Sequence, residues 1–140
     1  MKFYESSSII DASPERVWAV LVDGQAWSDW DSGVDGVDGT IGLGERIKIR
    51  SQAAPGRTFP VKVTVFQPAT QLRFSGGMPL GLFRGLRTYD LSSTSSGTSF
   101  HMREEYTGPM LGLIWKSIPD LGPSFERFAQ GLKHRVESGS

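Results

Sequence analysis

Leu82-Phe83-Arg84-Gly85-Leu86-Arg87-Thr88-Tyr89-Asp90-Leu91-Ser92 and Thr98-Ser99-Phe100-His101-Met102-Arg103-Glu104-Glu105-Tyr106-Thr107 are the two runs whose pairing decides how this chain folds. Each alternates apolar and polar residues, and the Ser, Thr and Gly of Ser92–Gly97 between them read as a polar loop, so the two form an antiparallel hairpin. Setting Leu91 opposite Phe100 puts Tyr89 opposite Met102, Arg87 opposite Glu104 and Gly85 opposite Tyr106. All of these share the parity of the hydrophobic face. An Arg and a Glu therefore stand among aromatic and Met side chains, where isolated charges are costly and must pair.

The same period of two continues upstream. Strands are expected near Gly33–Val37, Glu45–Ser51, Phe59–Gln67 and Gln71–Ser75. Ile47 and Ile49 alternate with Lys48 and Arg50, and Val61, Val63 and Val65 alternate with Lys62 and Thr64. One face is apolar and the other wet, as in an antiparallel meander covered on one side. Ahead of it, a strand over Lys2–Asp11 leads into Ser13-Pro14-Glu15, a helix start: Ser13 accepts an orphan amide, Pro14 has none to lose, and Glu15 suits the positive dipole end. Val17, Trp18, Leu21 and Val22 then recur at helical spacing before Asp23-Gly24, and a second short helical piece covers Gln25–Trp30. Behind the meander, Leu121, Phe125, Phe128, Ala129, Leu132 and Val136 form one stripe of a long amphipathic helix. Pro119 and Gly122-Pro123 interrupt the helical stretch that precedes it. The fold class is α+β.

The 140 residues suit one core, and a single domain over 1–137 with a frayed tail at 138–140 is expected. Lys+Arg and Asp+Glu are both 15, so the basic excess of a nucleic-acid binder is missing. Without Cys there are no disulfides, thiolate metal sites or Cys nucleophiles. The opening MKFYESSSII is too polar for a signal peptide, and the apolar stretch at Met110–Ile118 falls short of the ~20 residues of a membrane span. These features predict a soluble, cytoplasmic protein without stable membrane insertion, and leave its oligomeric state open.

Other motifs carry less. The pairing that joins Arg87 to Glu104 sets Asp90 opposite His101 on the outer face, an exposed cross-strand pair rather than part of a hydrolase triad, since no Gly-x-Ser-x-Gly elbow is present. His134 lies on the wet side of the last helix, and two such His give no metal site. Gly39–Gly44 lacks the Lys and following helix of a phosphate loop and reads as a tight connection. Lys48, Arg50, Lys62 and Arg73 form a solvated sheet face, or else one that meets an anionic partner. Trp18, Trp27 and Trp30 pack the helical corner, with Trp27 a candidate for the cavity mouth. Met110, Leu111, Leu113, Ile114, Trp115 and Ile118 are too apolar for a free loop. They read as a kinked lid, or as a patch that touches a membrane or a partner.

Ile10-Asp11-Ala12-Ser13-Pro14-Glu15-Arg16-Val17-Trp18, then Trp30, Phe83-Arg84-Gly85 with Tyr89-Asp90-Leu91, and Gly97-Thr98 leading to Glu104-Glu105-Tyr106-Thr107-Gly108 resemble the polyketide cyclase/START-like superfamily, in particular its SRPBCC or cyclase/dehydrase-like members. The resemblance covers nearly the whole chain. It implies the helix-grip fold: a curved antiparallel sheet of about seven strands wrapped around the C-terminal helix, with two short helices after the first strand. It also implies an apolar cavity and a small hydrophobic ligand of lipid, polyketide or aromatic type; no cofactor is expected, since the sequence holds no cofactor loop or metal cluster. The expected lining is Val63, Phe74, Phe83, Arg87, Tyr89, Met102, Glu104, Tyr106, Trp115, Phe125 and Phe128. Arg87 would hold a polar group of the ligand while Glu104 fixes its fork. Two alternatives remain: a cyclase or dehydratase in which Arg87 polarises a carbonyl and Glu104 moves a proton, and an interaction module of the chaperone-activator kind.

Overall fold

A computed structural model of the chain describes residues 1–139. One antiparallel sheet of seven strands forms the body, in the spatial order β1-β7-β6-β5-β4-β3-β2. The strands are β1 (Lys2–Ile10), β2 (Val34–Asp38), β3 (Arg46–Ser51), β4 (Phe59–Gln67), β5 (Gln71–Gly77), β6 (Arg84–Thr94) and β7 (Gly97–Thr107). Helix α1 (Pro14–Leu21) and a 3₁₀ segment (Gly24–Asp29) follow β1; α2 (Leu111–Trp115) and the long α3 (Gly122–Glu137) follow β7. This is the α+β helix-grip arrangement: consecutive strands β2 to β7 pair as a meander, and β7 closes back on β1.

The β6–β7 register is the one the alternation predicts, with Arg87 opposite Glu104, Tyr89 opposite Met102 and Gly85 opposite Tyr106. Three boundaries of this hairpin differ from the sequence reading. The strands of this hairpin extend to Thr94 and from Gly97, leaving Ser95-Ser96 as the turn, where Ser96 N–H donates to Thr94 Oγ1 at 3.3 Å. At its other end β6 begins at Arg84 instead of Leu82. The Pro79–Gly81 segment turns the chain there, with Leu80 in the left-handed region (φ 61°, ψ 23°).

Helix α1 starts as its sequence dictates, Ser13 Oγ accepting from Arg16 N–H at 3.3 Å. The inner face of the sheet meets α3 through an aromatic cluster in which Trp27 lies 5.0 Å and Tyr89 5.6 Å from Phe128, ring centroid to ring centroid. Phe125, Phe128, Ala129, Leu132 and Val136 are all buried, the face that the stripe selects. Trp27 is fully buried and its Nε1 donates to the Leu21 carbonyl at 3.0 Å, so it belongs to the core and not to a cavity mouth. At Gly131 a Cβ would run into the Asp31 carbonyl, so only glycine lets α3 approach this closely.

Polar ties fix the helix lengthwise. Ser8 Oγ donates to Ala129 O, Lys133 Nζ to Ile9 O, Arg16 Nη2 to Val136 O, and Arg127 Nε reaches Asp31 at 2.6 Å. Ser138 N–H donates to His134 O and its hydroxyl to Arg135 O at the C-terminal end of α3. Ser140, the last residue of the expected frayed tail, lies outside the described residues.

Candidate functional site

The sheet's own register opens a cavity. Val61, Gly76, Gly85 and Tyr106 are successive partners across β4, β5, β6 and β7. The next row inward is Val63, Phe74, Arg87 and Glu104. Both rows face the apolar side, but the first holds two glycines side by side, and the missing side chains leave space over the sheet. That space is part of a cavity of about 370 Å³, walled by the residues of these rows other than Val63, by the Ser51–Phe59 connection and by the Ile114–Leu121 segment.

Of the lining expected from sequence, Phe74, Phe83, Arg87, Glu104 and Tyr106 border this cavity. Val63, Tyr89, Met102, Trp115, Phe125 and Phe128 do not. Five of these are core residues at most 3% exposed, consumed by packing between sheet and α3. Trp115 stacks against Tyr4 at 5.6 Å and leans on Tyr106 at 5.4 Å, behind the wall that its neighbours Ile114 and Ile118 present. The cavity consequently lies beyond the N-terminal end of α3, touching it only near Leu121, while the middle of the helix is packed solid. Phe59, Val61, Gly76 and Gly85 were missed, although a signal existed: they occupy the apolar parity of their strands, and two of them have no side chain to fill it. The Ser51–Phe59 loop offered no periodicity by which to place it.

Arg87 and Glu104 form the polar feature of this wall. Arg87 Nε donates to Glu104 Oε1 at 2.8 Å, with side chains 22% and 16% exposed. The guanidinium also lies 4.9 Å from the centroid of Phe125. Burial opposes its charge, but the Glu104 carboxylate and the nearby Tyr89 and Tyr106 more than offset this, and the Arg87 pKa is raised. Tyr106 is 4% exposed, and among the described residues its hydroxyl has no hydrogen-bond partner; the buried Tyr89 hydroxyl has none there either. Burial raises the pKa of both phenols, aided at Tyr106 by the Glu104 carboxylate and opposed at Tyr89 by Arg87. Both therefore remain protonated, able to donate, at neutral pH.

The other candidates fall elsewhere. Asp90 and His101 are opposite in the register but do not pair: Asp90 accepts from Gln71 Nε2 at 2.7 Å, and His101 Nε2 meets Glu5 at 2.9 Å. Lys48, Arg50, Lys62 and Arg73 lie on the outer face, Arg50 paired with Asp38 and Arg73 donating to Thr88. Gly39–Gly44 connects β2 to β3.

The sequence pattern of the family described as "Polyketide cyclase / dehydrase and lipid transport" matches residues 2–137. The chain belongs to this polyketide cyclase/dehydrase and lipid transport family. No curated protein matches the sequence. Among solved structures, the MLL2253 protein of Mesorhizobium loti is similar to this family member at a TM-score of 0.76, with 16% identity and 99% of each chain covered. The TTHA0849 protein of Thermus thermophilus is similar at 0.73, with 23% identity and 99% of each chain covered. At such identities the likeness establishes a common fold. Among the described residues of this family member, no helix is long and apolar enough to cross a membrane.

Proposed function

We propose that residues 1–137 act as one unit that binds a small, largely apolar molecule carrying one polar group. The apolar part would lie over the Gly76–Gly85 gap, and the polar group would meet Arg87 and the Tyr106 hydroxyl. The observation that carries this reading is Tyr106, which lines an apolar cavity beside the Arg87–Glu104 pair and whose buried hydroxyl has no hydrogen-bond partner among the described residues. A buried donor left unpaired costs roughly 1–3 kcal/mol, a penalty that a ligand oxygen would remove. Glu104 engages Nε and holds the guanidinium in place, and an acceptor on the ligand, such as a carboxylate, phenolate or carbonyl, complements it.

The family to which the chain belongs supports an apolar ligand in general terms and does not select one. Binding rather than turnover is favoured because Arg87 holds Glu104 in an ion pair, which binds up the carboxylate that would have to move a proton. The test is a thermal-shift screen of fatty acids, sterols, flavonoids and aromatic polyketides. Stabilisers should reach ~2.7 kcal/mol at a hundredfold excess over Kd, return unchanged from chromatography after incubation, and bind more weakly to Tyr106→Phe. A cyclised or dehydrated product that disappears in Glu104→Gln would overturn the binding reading in favour of a cyclase or dehydratase. Compounds that stabilise Tyr106→Phe as well as the unmodified protein would remove the hydroxyl from the site.

A further inference from the structure

We propose that the protein docks on an anionic lipid surface through the end of the sheet where β5 turns into β6. This surface adjoins the inner cavity, with which its groove shares Pro60, Val61, Gly76, Gly77 and Phe83, but its cations face the outer side, and two independent features meet on it.

The first is a row of unpaired cations. Arg46 on β3 faces Lys62 on β4, and Lys62 faces Ser75 on β5. All three alternate with the inward residues Ile47, Val63 and Phe74 and so point to the outer side. Arg84 joins them through Nε, which donates to Ser75 Oγ at 3.2 Å. Together they line an open groove of about 480 Å³ whose other wall is Gly76, Gly77, Met78 and Gly81. Among the described residues, no acidic side chain forms an ion pair with Arg46, Lys62 or Arg84. Like charges directly opposite each other across two strands repel, and anions seated along the groove would reverse the sign of that interaction.

The second feature is the apolar tip beside the groove. Leu80 is 97% exposed while its backbone sits at φ 61°, ψ 23°, a region that L side chains rarely adopt. Met78 and Leu82 flank it, both more than a third exposed. Met110 N–H donates to the Leu82 carbonyl at 2.9 Å, which brings the start of α2, with its exposed Leu113, alongside.

A dissolved anion would satisfy the cations and leave Leu80 in water. A bilayer leaflet with anionic headgroups accounts for both, with the cations at headgroup depth and the Leu80 tip at the acyl boundary. The balanced formal charge of the chain makes this attraction local to the groove rather than a property of the whole molecule.

The test is co-sedimentation of the full chain with phosphatidylcholine vesicles, with and without phosphatidylserine, at low salt. Partition should require phosphatidylserine and weaken as salt is added. Arg46→Gln and Lys62→Gln should each lower the partition coefficient about fivefold. Leu80→Gly should lower it about tenfold or more. It also relieves the left-handed backbone, so its melting temperature should not fall. Equal partition with and without phosphatidylserine, none at all, or full binding by Leu80→Gly would each overturn the proposal. Displacement by inorganic phosphate with no loss in Leu80→Gly would reassign the groove to a soluble anion. Small-molecule stabilisation of the same variants, measured without vesicles, reports on the inner cavity alone, so the two readings fail separately.

Discussion

Arg87 and Glu104 show how much of a site one pairing register can carry. Their parity is readable from sequence because the hairpin alternates without a bulge, and charges on that parity must find each other. What sequence does not reveal is how deep the pair sits: the side chains are about one-fifth exposed, between a core pair and a surface one. Breaking a fully buried pair costs ~3–5 kcal/mol, and exposed pairs contribute at most ~1 kcal/mol. A double-mutant cycle of Arg87→Met and Glu104→Gln should therefore give a coupling of about 1–3 kcal/mol, and additivity would show that the two do not act as a pair. Glu137 supplies a pH test. Its carboxylate accepts from Lys133 Nζ at 2.7 Å and from Asp11 N–H at 2.9 Å, which holds its pKa below the ordinary 4.5. A depressed folded-state pKa contributes stability that is complete above the unfolded value and lost as pH falls through the folded one. The melting-temperature gap between the unmodified protein and Glu137→Gln should thus be constant near neutrality and close below pH 4.5. A gap that persists in acid would mean that the charge of Glu137 is not what ties α3 to the end of β1.

Among the elements, α3 and the β6–β7 hairpin were the most legible, since both repeat their apolar period over many residues. The stripe of α3 predicts its buried face, and Phe128 lies at its centre, touching Trp27, Trp30, Tyr89 and Phe100. Phe128→Ala should cost ~3–5 kcal/mol in denaturant unfolding. A loss under 1 kcal/mol would place the ring outside the core. The lining of the cavity was less legible for a related reason. Period alone says that Phe125, Phe128, Tyr89 and Met102 face inward, but inward residues fill a core as readily as they border a space. What separates the two outcomes is side-chain volume summed across neighbouring strands. That sum falls at the Val61–Gly76–Gly85–Tyr106 row, where two glycines stand side by side, and this row is visible once four strands are in register. The Ser51–Phe59 and Ile114–Leu121 walls come from non-repeating segments, whose position follows from the sheet they cover.

At the scale of the molecule, two halves of the inner face do different work. Over the middle of α3 the aromatic cluster is solid and supplies stability. Toward the end of the sheet, where glycines replace side chains, the same surface leaves about 370 Å³ beside Arg87, Glu104 and Tyr106. Gly85 is the place to separate these roles. A Cβ there would meet Glu104 Oε2 at 3.6 Å and Tyr106 Cδ1 at 3.7 Å, ordinary contacts, so a larger residue can enter the cavity without displacing the backbone. The most direct test is mass spectrometry of the small molecules released by organic extraction from freshly purified protein, compared with Gly85→Val prepared identically. The unmodified protein should release an apolar compound with a single carboxylate, phenol or carbonyl, in near-stoichiometric amount after supplementation with that compound, and Gly85→Val should fold but retain little of it. Equal retention by a well-folded Gly85→Val, or a retained compound without a polar group, would contradict the assignment of this cavity as the binding site.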